Sequence, residues 1–264
     1  MTTTTLKIVK YELNDVFRSK WIIIYALFFF LATDGLFRLG EDNAKVILSL
    51  TNIVLLLIPL MSVVFGVMYL YNAREYIEMM LSQPMHRSTI FIGLFAGLAV
   101  PLSLGFVAGV GIPFAIHGSA DSGQIAILAT LLISGVFLTL IFIALAFLIS
   151  IVHEDKVKGL GVALFNWLLF SVIYDGLIFF IILWFGDYPL EKPTIALTLF
   201  NPIDLARILI MLEFDTAALM GYTGAVFEQF FGSALGIAIS LISLIAWAVL
   251  PFFAGLRSFT RKDF

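Results

Sequence analysis

Two acidic residues, Asp34 and Asp175, lie inside long apolar stretches of the chain, where charged side chains are uncommon. Asp175 is the more central of the two and follows Tyr174 in "SVIYDGLIFF". A carboxyl group in such a position marks a substrate or proton path, or it is buried and held by hydrogen bonds; both interpretations of this pair stay open. Asp34 precedes Arg38 by one helical turn, so an ion pair is the simpler expectation there.

Familiar catalytic and metal-binding motifs are missing from the sequence. It contains no G-x-x-x-x-G-K-[ST], so the chain does not hydrolyse ATP by a P-loop mechanism, and it lacks G-x-S-x-G and G-x-G-x-x-G. "HEDKV" at 153–157 begins like a zinc-protease motif but has Val157 at the second ligand position. With no cysteine, and with Met79, Met80 and Met85 typical of a packing surface, we predict no catalytic residue, no metal site and no cofactor bound by this chain.

Composition indicates the class of protein that holds these residues. Of 264 residues, 61% are hydrophobic, 12% are charged and 27 are Phe, which a soluble domain of this size could not keep in solution. A bilayer core of about 30 Å requires roughly 20 apolar residues in a helix. We therefore predict an all-α polytopic membrane protein, a single transmembrane domain over residues 1–264. Its six spans are expected at 21–37, 46–71, 90–116, 125–152, 160–185 and 233–256.

The basic residues are distributed unequally between the two sides of these spans. One side carries only Arg38, Lys45, Lys192 and Arg207 of the 15 Lys and Arg residues. The other side carries the rest, before the first span, in the connections after the second and fourth spans, and after the sixth. Because Lys and Arg are retained in the cytoplasm, this asymmetry predicts that both termini are cytoplasmic.

Two segments outside the spans have helical patterns. Residues 6–20 predict an amphipathic helix in the membrane interface, read either as a generic juxtamembrane helix or as an elbow helix that helps to seat a cytosolic partner. Residues 186–232 form the one long connection on the outer side, and we expect an ordered extracytoplasmic loop of one or two short helices. Asn201 is predicted to cap one of them, with Pro202 in its first turn.

The third predicted span carries small residues at intervals of four. Gly93, Gly97, Gly105 and Gly109 share this spacing, and Pro101 lies in the same register. Small residues in such a row allow another helix to approach closely, so the row predicts helix packing and not catalysis.

The connection at 72–89 contains "REYIEMMLSQPMHR", a charged turn with an adjacent apolar patch that ends at a proline. It must face the cytoplasm and is joined directly to two spans. Its pattern of Glu78, Leu81, Ser82, Pro84 and Arg87 resembles the first cytoplasmic loop of permeases in the ABC-2 family. The resemblance extends to the interfacial helix, the six spans and the long last external loop.

That resemblance implies the fold of an ABC-2, or type V exporter-like, permease in the bacterial inner membrane. The segment at 72–89 would be the coupling helix on which a cytosolic ABC ATPase subunit sits, with ATP and Mg²⁺ bound by that partner and no enzymatic activity in this chain. One departure from the family is that Tyr76 and Ile77 follow Glu75, where many members have Gly-Thr. The implied coupling residues are Arg74, Glu75, Glu78, Leu81, Ser82, Pro84 and Arg87.

The external loop, in "FNPIDLARILIML" and "ALMGYTGAVFEQFFG", resembles more narrowly the permeases of transporters that mature nitrous oxide reductase. This implies a second copy of the chain, membrane lipid around it, a periplasmic partner protein on the loop and a copper chaperone as a further partner; no nucleic acid is expected. The cargo would be a sulfur species, or the machine would act on copper-delivery partners. Residues implied to contact the periplasmic partner are Asn201, Pro202, Asp204, Arg207, Met220, Tyr222 and Phe227.

Two other classes of function remain as alternatives. A stand-alone secondary transporter would use Asp175 as its intramembrane coupling acid, although no repeat of the six spans is detectable in the sequence. An intramembrane enzyme would require a catalytic pair within the spans, and none is found.

Overall fold

The computed structural model describes residues 16, 19–40, 43–83, 85–118, 122–185, 191–213, 230 and 232–262. Within these ranges the chain is helical, and its elements are connected by turns and short irregular segments. The helices are α1 Lys20–Leu39, α2 Asn43–Asn72, α3 Arg74–Leu81, α4 Arg87–His117, α5 Ser122–Val152, α6 Lys156–Leu168, a π-helical turn Leu169–Ile173, α7 Tyr174–Trp184, α8 Glu191–Leu199, α9 Pro202–Leu212 and α10 Ala234–Arg261.

Six of these segments are long and apolar enough to cross a membrane, as the sequence predicted. They are α1, α2, α4, α5, the continuous α6–π–α7 segment, and α10. Their length follows from uninterrupted apolar sequence, since a helix satisfies its own backbone hydrogen bonds and needs no water. The observed helices extend a few residues past the predicted ends, most clearly in α10, which continues to Arg261.

The interior of the bundle lies between α2, α4 and α5, which pack against one another and against α1 and α10. Phenylalanine fills much of it, in edge-to-face pairs that suit the aromatic quadrupole. Phe29 lies 5.4 Å from Phe106, and Phe91 lies 5.8 Å from Phe147, measured between ring centroids. All four side chains are buried.

Glycine permits close approaches between these helices. A Cβ on Gly66 of α2 would lie 2.6 Å from the Cβ of Ala146, and one on Gly109 of α4 would lie 2.7 Å from the backbone oxygen of Ala26. The small-residue row of α4 is buried and Gly105 and Gly109 face α1. The structure therefore confirms the packing role predicted for this row.

The helices α8 and α9 form a sharply bent hairpin that packs into the bundle. Pro193–Leu199 and Pro202–Leu212 are bent by 110° relative to each other, and α9 packs against α5, α10 and α2. The backbone oxygen of Leu199 accepts hydrogen bonds from Ser243 and Trp247, near the middle of α10. The turn between the two helices therefore lies beside the middle of α10, deeper in the bundle than expected for an extracytoplasmic loop.

Candidate functional site

Helix α3 is amphipathic and lies at one end of the bundle, called here the α3 end. Ile77 and Met80 are buried against the neighbouring helices, whereas Glu75, Glu78 and Met79 are exposed. Glu75 in the first turn is favourably placed at the positive end of the helix. The exposed side chains occur at helical spacing, so they form one charged face with an apolar centre, which we call the α3 face: Glu75, Glu78, Met79 and Ser82.

The residues that end α3 have structural tasks. The backbone nitrogen of Ser82 donates to Glu78 O at 3.2 Å, and its hydroxyl donates to Met79 O at 2.7 Å, which satisfies two carbonyl oxygens of the last turn. Leu81 is partly buried against the core. The α3 face therefore belongs to a helix that packs on the bundle along its other side and whose last turn is capped by Ser82.

Tyr71, in the last turn of α2, and Arg74, in the first turn of α3, both contact the connection between α5 and α6. The Tyr71 hydroxyl lies 2.7 Å from His153 O and 3.1 Å from Asp155 O, and Arg74 Nη2 donates to His153 O at 3.2 Å. The Arg74 guanidinium also lies over the Tyr71 ring, 4.5 Å from its centroid. Lys156 adds a bond from its Nζ to Asn72 Oδ1 at 3.1 Å.

Arg87 and Lys262 join the same end to α10. Arg87 Nη1 donates to the backbone oxygens of Lys262 and, at 3.4 Å, Thr260. Lys262 Nζ donates to Ile151 O at 2.8 Å and lies 3.7 Å from Glu154 Oε1. Cationic groups thus satisfy carbonyl oxygens at the ends of α5 and α10, where the helix dipole is negative. A cavity of about 170 Å³ lies between these elements and α3.

Asp155 begins α6. Its Oδ1 accepts hydrogen bonds from Val157 N at 2.8 Å and Lys158 N at 3.0 Å, the geometry of a helix N-cap. The backbone N–H groups of Lys158 and Val157 hold the pKa of the Asp155 carboxyl below its usual value, because they stabilise the charged form. The sequence "HEDKV" therefore contains the capped start of a helix.

A buried polar network holds the α8–α9 hairpin, and Asn201 is its centre. Asn201 Oδ1 caps α9 by accepting from Ile203 N at 3.0 Å, while Nδ2 donates to Phe170 O at 2.9 Å and to Asp204 Oδ2 at 2.8 Å. Phe170 lies in the π-helical turn of the fifth span. Asn201 and Asp204 are buried, and every polar atom of the Asn201 side chain has a partner.

Arg207 connects this network to the fifth span. Its Nη1 donates to Asp204 Oδ1 at 2.8 Å and to Asp175 Oδ2 at 3.1 Å. The Tyr174 hydroxyl donates to Leu197 O at 2.7 Å. Asp175, whose side chain is 41% exposed, faces a cavity of about 300 Å³ that Arg207 and Asp204 also line. Tyr174 and Asp175, the predicted path residues, therefore both bind the hairpin.

Burial changes the role of some predicted partner contacts. The side chains of Asn201, Pro202 and Asp204 are buried inside the chain, so in this arrangement they cannot contact a periplasmic protein directly. Arg207 is partly exposed but is paired with two carboxylates. We revise their role to fixing the hairpin. The remaining predicted residues lie outside the described part of the chain: Pro84, Met220, Tyr222, Phe227 and most of the interfacial segment 6–20.

Asp34 has the partner that the sequence predicted and one more. Arg38 Nε donates to Asp34 Oδ2 at 2.7 Å, and His117 Nε2 lies 2.8 Å from Asp34 Oδ1. The His117 ring stacks on Phe37 with centroids 6.0 Å apart. This cluster ties α1 to the end of α4. Across the residues described, no group of three or more His, Cys, Asp or Glu side chains is placed to hold a metal ion.

Comparison with known proteins identifies the family to which the sequence is similar. The family model described as "ABC-2 family transporter protein" matches residues 6–264. The chain is 26% identical over 230 residues to a probable ABC transporter permease protein NosY of Pseudomonas aeruginosa, which covers 81% of this chain and 84% of that protein. It is 24% identical over 283 residues to the protein of the same name from Stutzerimonas stutzeri, covering 97% of each chain.

The match covers almost the whole chain and includes all six spans, α3 and the hairpin. The multi-pass helical architecture agrees with it. This chain is a permease-type membrane subunit that belongs to the ABC-2 transporter family.

Proposed function

We propose that the chain couples ATP hydrolysis by a separate ATPase subunit to a conformational change in the membrane, and that the ATPase docks on the α3 face. The observation that carries this proposal is an exposed charged face on a short helix whose other side packs on the bundle and whose Arg74 donates to His153 O. The helices on either side of it are bonded as well, through Tyr71 of α2 and Arg87 of α4. A partner that moves α3 would act on α2 and α4 through the chain itself. Interfaces and packed cores of this kind switch between discrete arrangements.

The α3 end is proposed to face the cytoplasm of a bacterial inner membrane. The basic residues Lys156, Lys158, Arg257, Arg261 and Lys262 all lie at this end, which supports the orientation with both termini cytoplasmic. The ATPase would then meet α3 from the compartment that contains ATP.

A second copy of the chain is proposed to cover the fifth span. Only 6% of the most apolar part of this span is buried, compared with 61% in the third span. Lipid can cover its apolar side chains, but a partly exposed Asp175 carboxylate is costly against lipid. A second copy, or a wet cavity enclosed between two copies, would remove that cost.

The likeness to NosY permeases supports a narrower proposal, a role in assembling the copper–sulfur centre of nitrous oxide reductase. In this proposal a NosD-like periplasmic protein, with a copper chaperone as a further partner, binds the outer connection that contains Met220, Tyr222 and Phe227. The machine would handle a sulfur species or act on the chaperone.

Affinity purification of the tagged chain from its native membrane in mild detergent, with mass spectrometry, tests the proposal. We expect a soluble P-loop ATPase and a periplasmic protein to copurify. Glu78→Lys reverses a charge on the α3 face and should reduce ATPase recovery about tenfold. Glu213→Lys, the same reversal at an exposed site on the hairpin, is the matched control. Equal ATPase recovery with both variants would contradict docking at Glu78, and absence of an ATPase from the wild type would contradict the coupling function.

A further inference from the structure

We propose that Tyr71 is a positioning residue that transmits movement of α3 to the fifth span, an inference that rests on the proposed coupling function. The chain connects α3 covalently to the second and third spans only. Movement can reach the fifth span at this end of the bundle through side-chain contacts, and the Tyr71 hydroxyl makes the shortest of those described, 2.7 Å to His153 O.

The Tyr71 hydroxyl is placed between the end of one span and the start of the next. His153 follows α5, and Asp155 caps α6, so a hydroxyl within reach of both backbone oxygens fixes the turn that joins them. Arg74 strengthens the contact from α3 itself, by donating to His153 O and stacking on the Tyr71 ring. A displacement of the first turn of α3 is therefore passed to this turn.

Gly159 shows how closely the fifth span approaches Tyr71. A Cβ at position 159 would lie 2.0 Å from the Tyr71 hydroxyl oxygen and 2.8 Å from Cζ. Any larger side chain would displace either the ring or α6. A Cβ on Gly161, two residues further along the same helix, would have no heavy atom within 4 Å.

The fifth span is suited to carry the movement onward because few of its side chains are buried in the interior of the bundle. It is the least buried of the six spans. Trp167 Nε1 donates to Leu56 O at 3.1 Å, a second attachment to α2. Beyond the π-helical turn, Tyr174 and Asp175 bind the hairpin. Contacts therefore continue from Gly159 through the fifth span to α8 and α9, and the measurement of coupling described next tests this route.

The experiment uses the complete complex with its ATPase. Because the chain contains no cysteine, a single introduced cysteine gives each copy of the chain one site for a fluorescent or spin label. Leu183→Cys reports on the outer end of the fifth span and Ile116→Cys on the outer end of the third, and both positions are exposed. The signal is the change at each label when ATP is added. Each reporter is combined with Tyr71→Phe, which removes only the hydroxyl, or with Gly159→Ala; Gly161→Ala is the matched control.

We expect Tyr71→Phe and Gly159→Ala to reduce the ATP-dependent change at position 183 about fivefold, the effect of losing one hydrogen bond. The change at position 116 and the recovery of the ATPase should persist, because α3 still docks and still pulls on α4. Gly161→Ala should behave as the wild type. An undiminished change at 183 in both variants, or an equal loss at 183 and 116, overturns the role of Tyr71. No ATP-dependent change at either label in the wild-type background would instead overturn the proposed coupling function, and this inference with it.

Discussion

The α3 end and the hairpin both bring polar groups of distant segments together, but they do so in opposite ways. At the α3 end, long side chains such as Arg74 and Arg87 reach backbone oxygens of other elements, and the outer surface stays charged and exposed. At the hairpin, Asn201 and Asp204 are buried and satisfy each other and one carbonyl oxygen. The first arrangement suits a surface that a partner moves, and the second suits a buried contact that holds the hairpin against the fifth span inside the bundle.

The largest expected effect is at Asn201. The substitution Asn201→Leu removes the buried hydrogen bonds to Phe170 O, Ile203 N and Asp204. It should therefore lower the free energy of unfolding by about 4 kcal/mol. The measurement is denaturant-induced loss of helical signal in detergent. Ser233→Ala removes the exposed N-cap of α10 and should cost only about 1 kcal/mol. Equal effects would mean that the hairpin is not held by buried polar contacts.

The two carboxylates that share Arg207 should differ in the same assay. Asp204→Ala should cost about 3 kcal/mol, because it removes one of the two carboxylates that pair with Arg207 and one of the two acceptors of the Asn201 amide in a largely buried site. Asp175→Ala should cost less than about 1 kcal/mol, since the Asp175 side chain is 41% exposed.

Asp175→Ala also separates the two transport hypotheses. In the ATP-driven account, the ATPase still binds this variant and responds to the membrane subunit. A secondary transporter that uses Asp175 as its coupling acid would lose ion-dependent transport completely. Complete loss of transport with no requirement for ATP in the wild type would favour that alternative.

The smallest expected effect concerns the Asp155 cap and its dependence on pH. The pKa of Asp155 is lowered in the folded chain, so its stabilisation is complete above the unfolded value of about 3.9 and is lost as pH falls through the lowered folded value. Asp155→Ala should therefore unfold at a lower temperature than the wild type at pH 7, and the difference should shrink below about pH 4. A difference that is constant from pH 7 to pH 3 would show that the charge of this cap is unimportant.

Sequence and structure agree where the signal lies within one segment. Apolar length alone predicts the six spans, and the four-residue spacing of Gly105 and Gly109 predicts a close helix contact. The capping role of Asn201 was also predictable, because Asn followed by Pro is a local helix start.

The depth of the hairpin was not predictable in this way. A segment of two short helices between two spans resembles an external loop, and its burial depends on Phe170 O and on Trp247, which belong to other parts of the chain. The same limit applies to Tyr71, since its partners are backbone oxygens that every residue possesses. No residue pattern predicts such contacts. The glycine at position 159, which the close approach to Tyr71 requires, is the one related feature visible in the sequence.

The central claim is that the exposed face of α3 is where the ATPase sits, and site-specific photocrosslinking tests it most directly. Met79 is 56% exposed on the α3 face, while its neighbour Met80 is 5% exposed and faces the bundle. A photoreactive amino acid should form an adduct with the ATPase subunit when it replaces Met79, and not when it replaces Met80. Intact complexes in which position 79 gives no adduct, or in which both positions react equally, would contradict docking on this face.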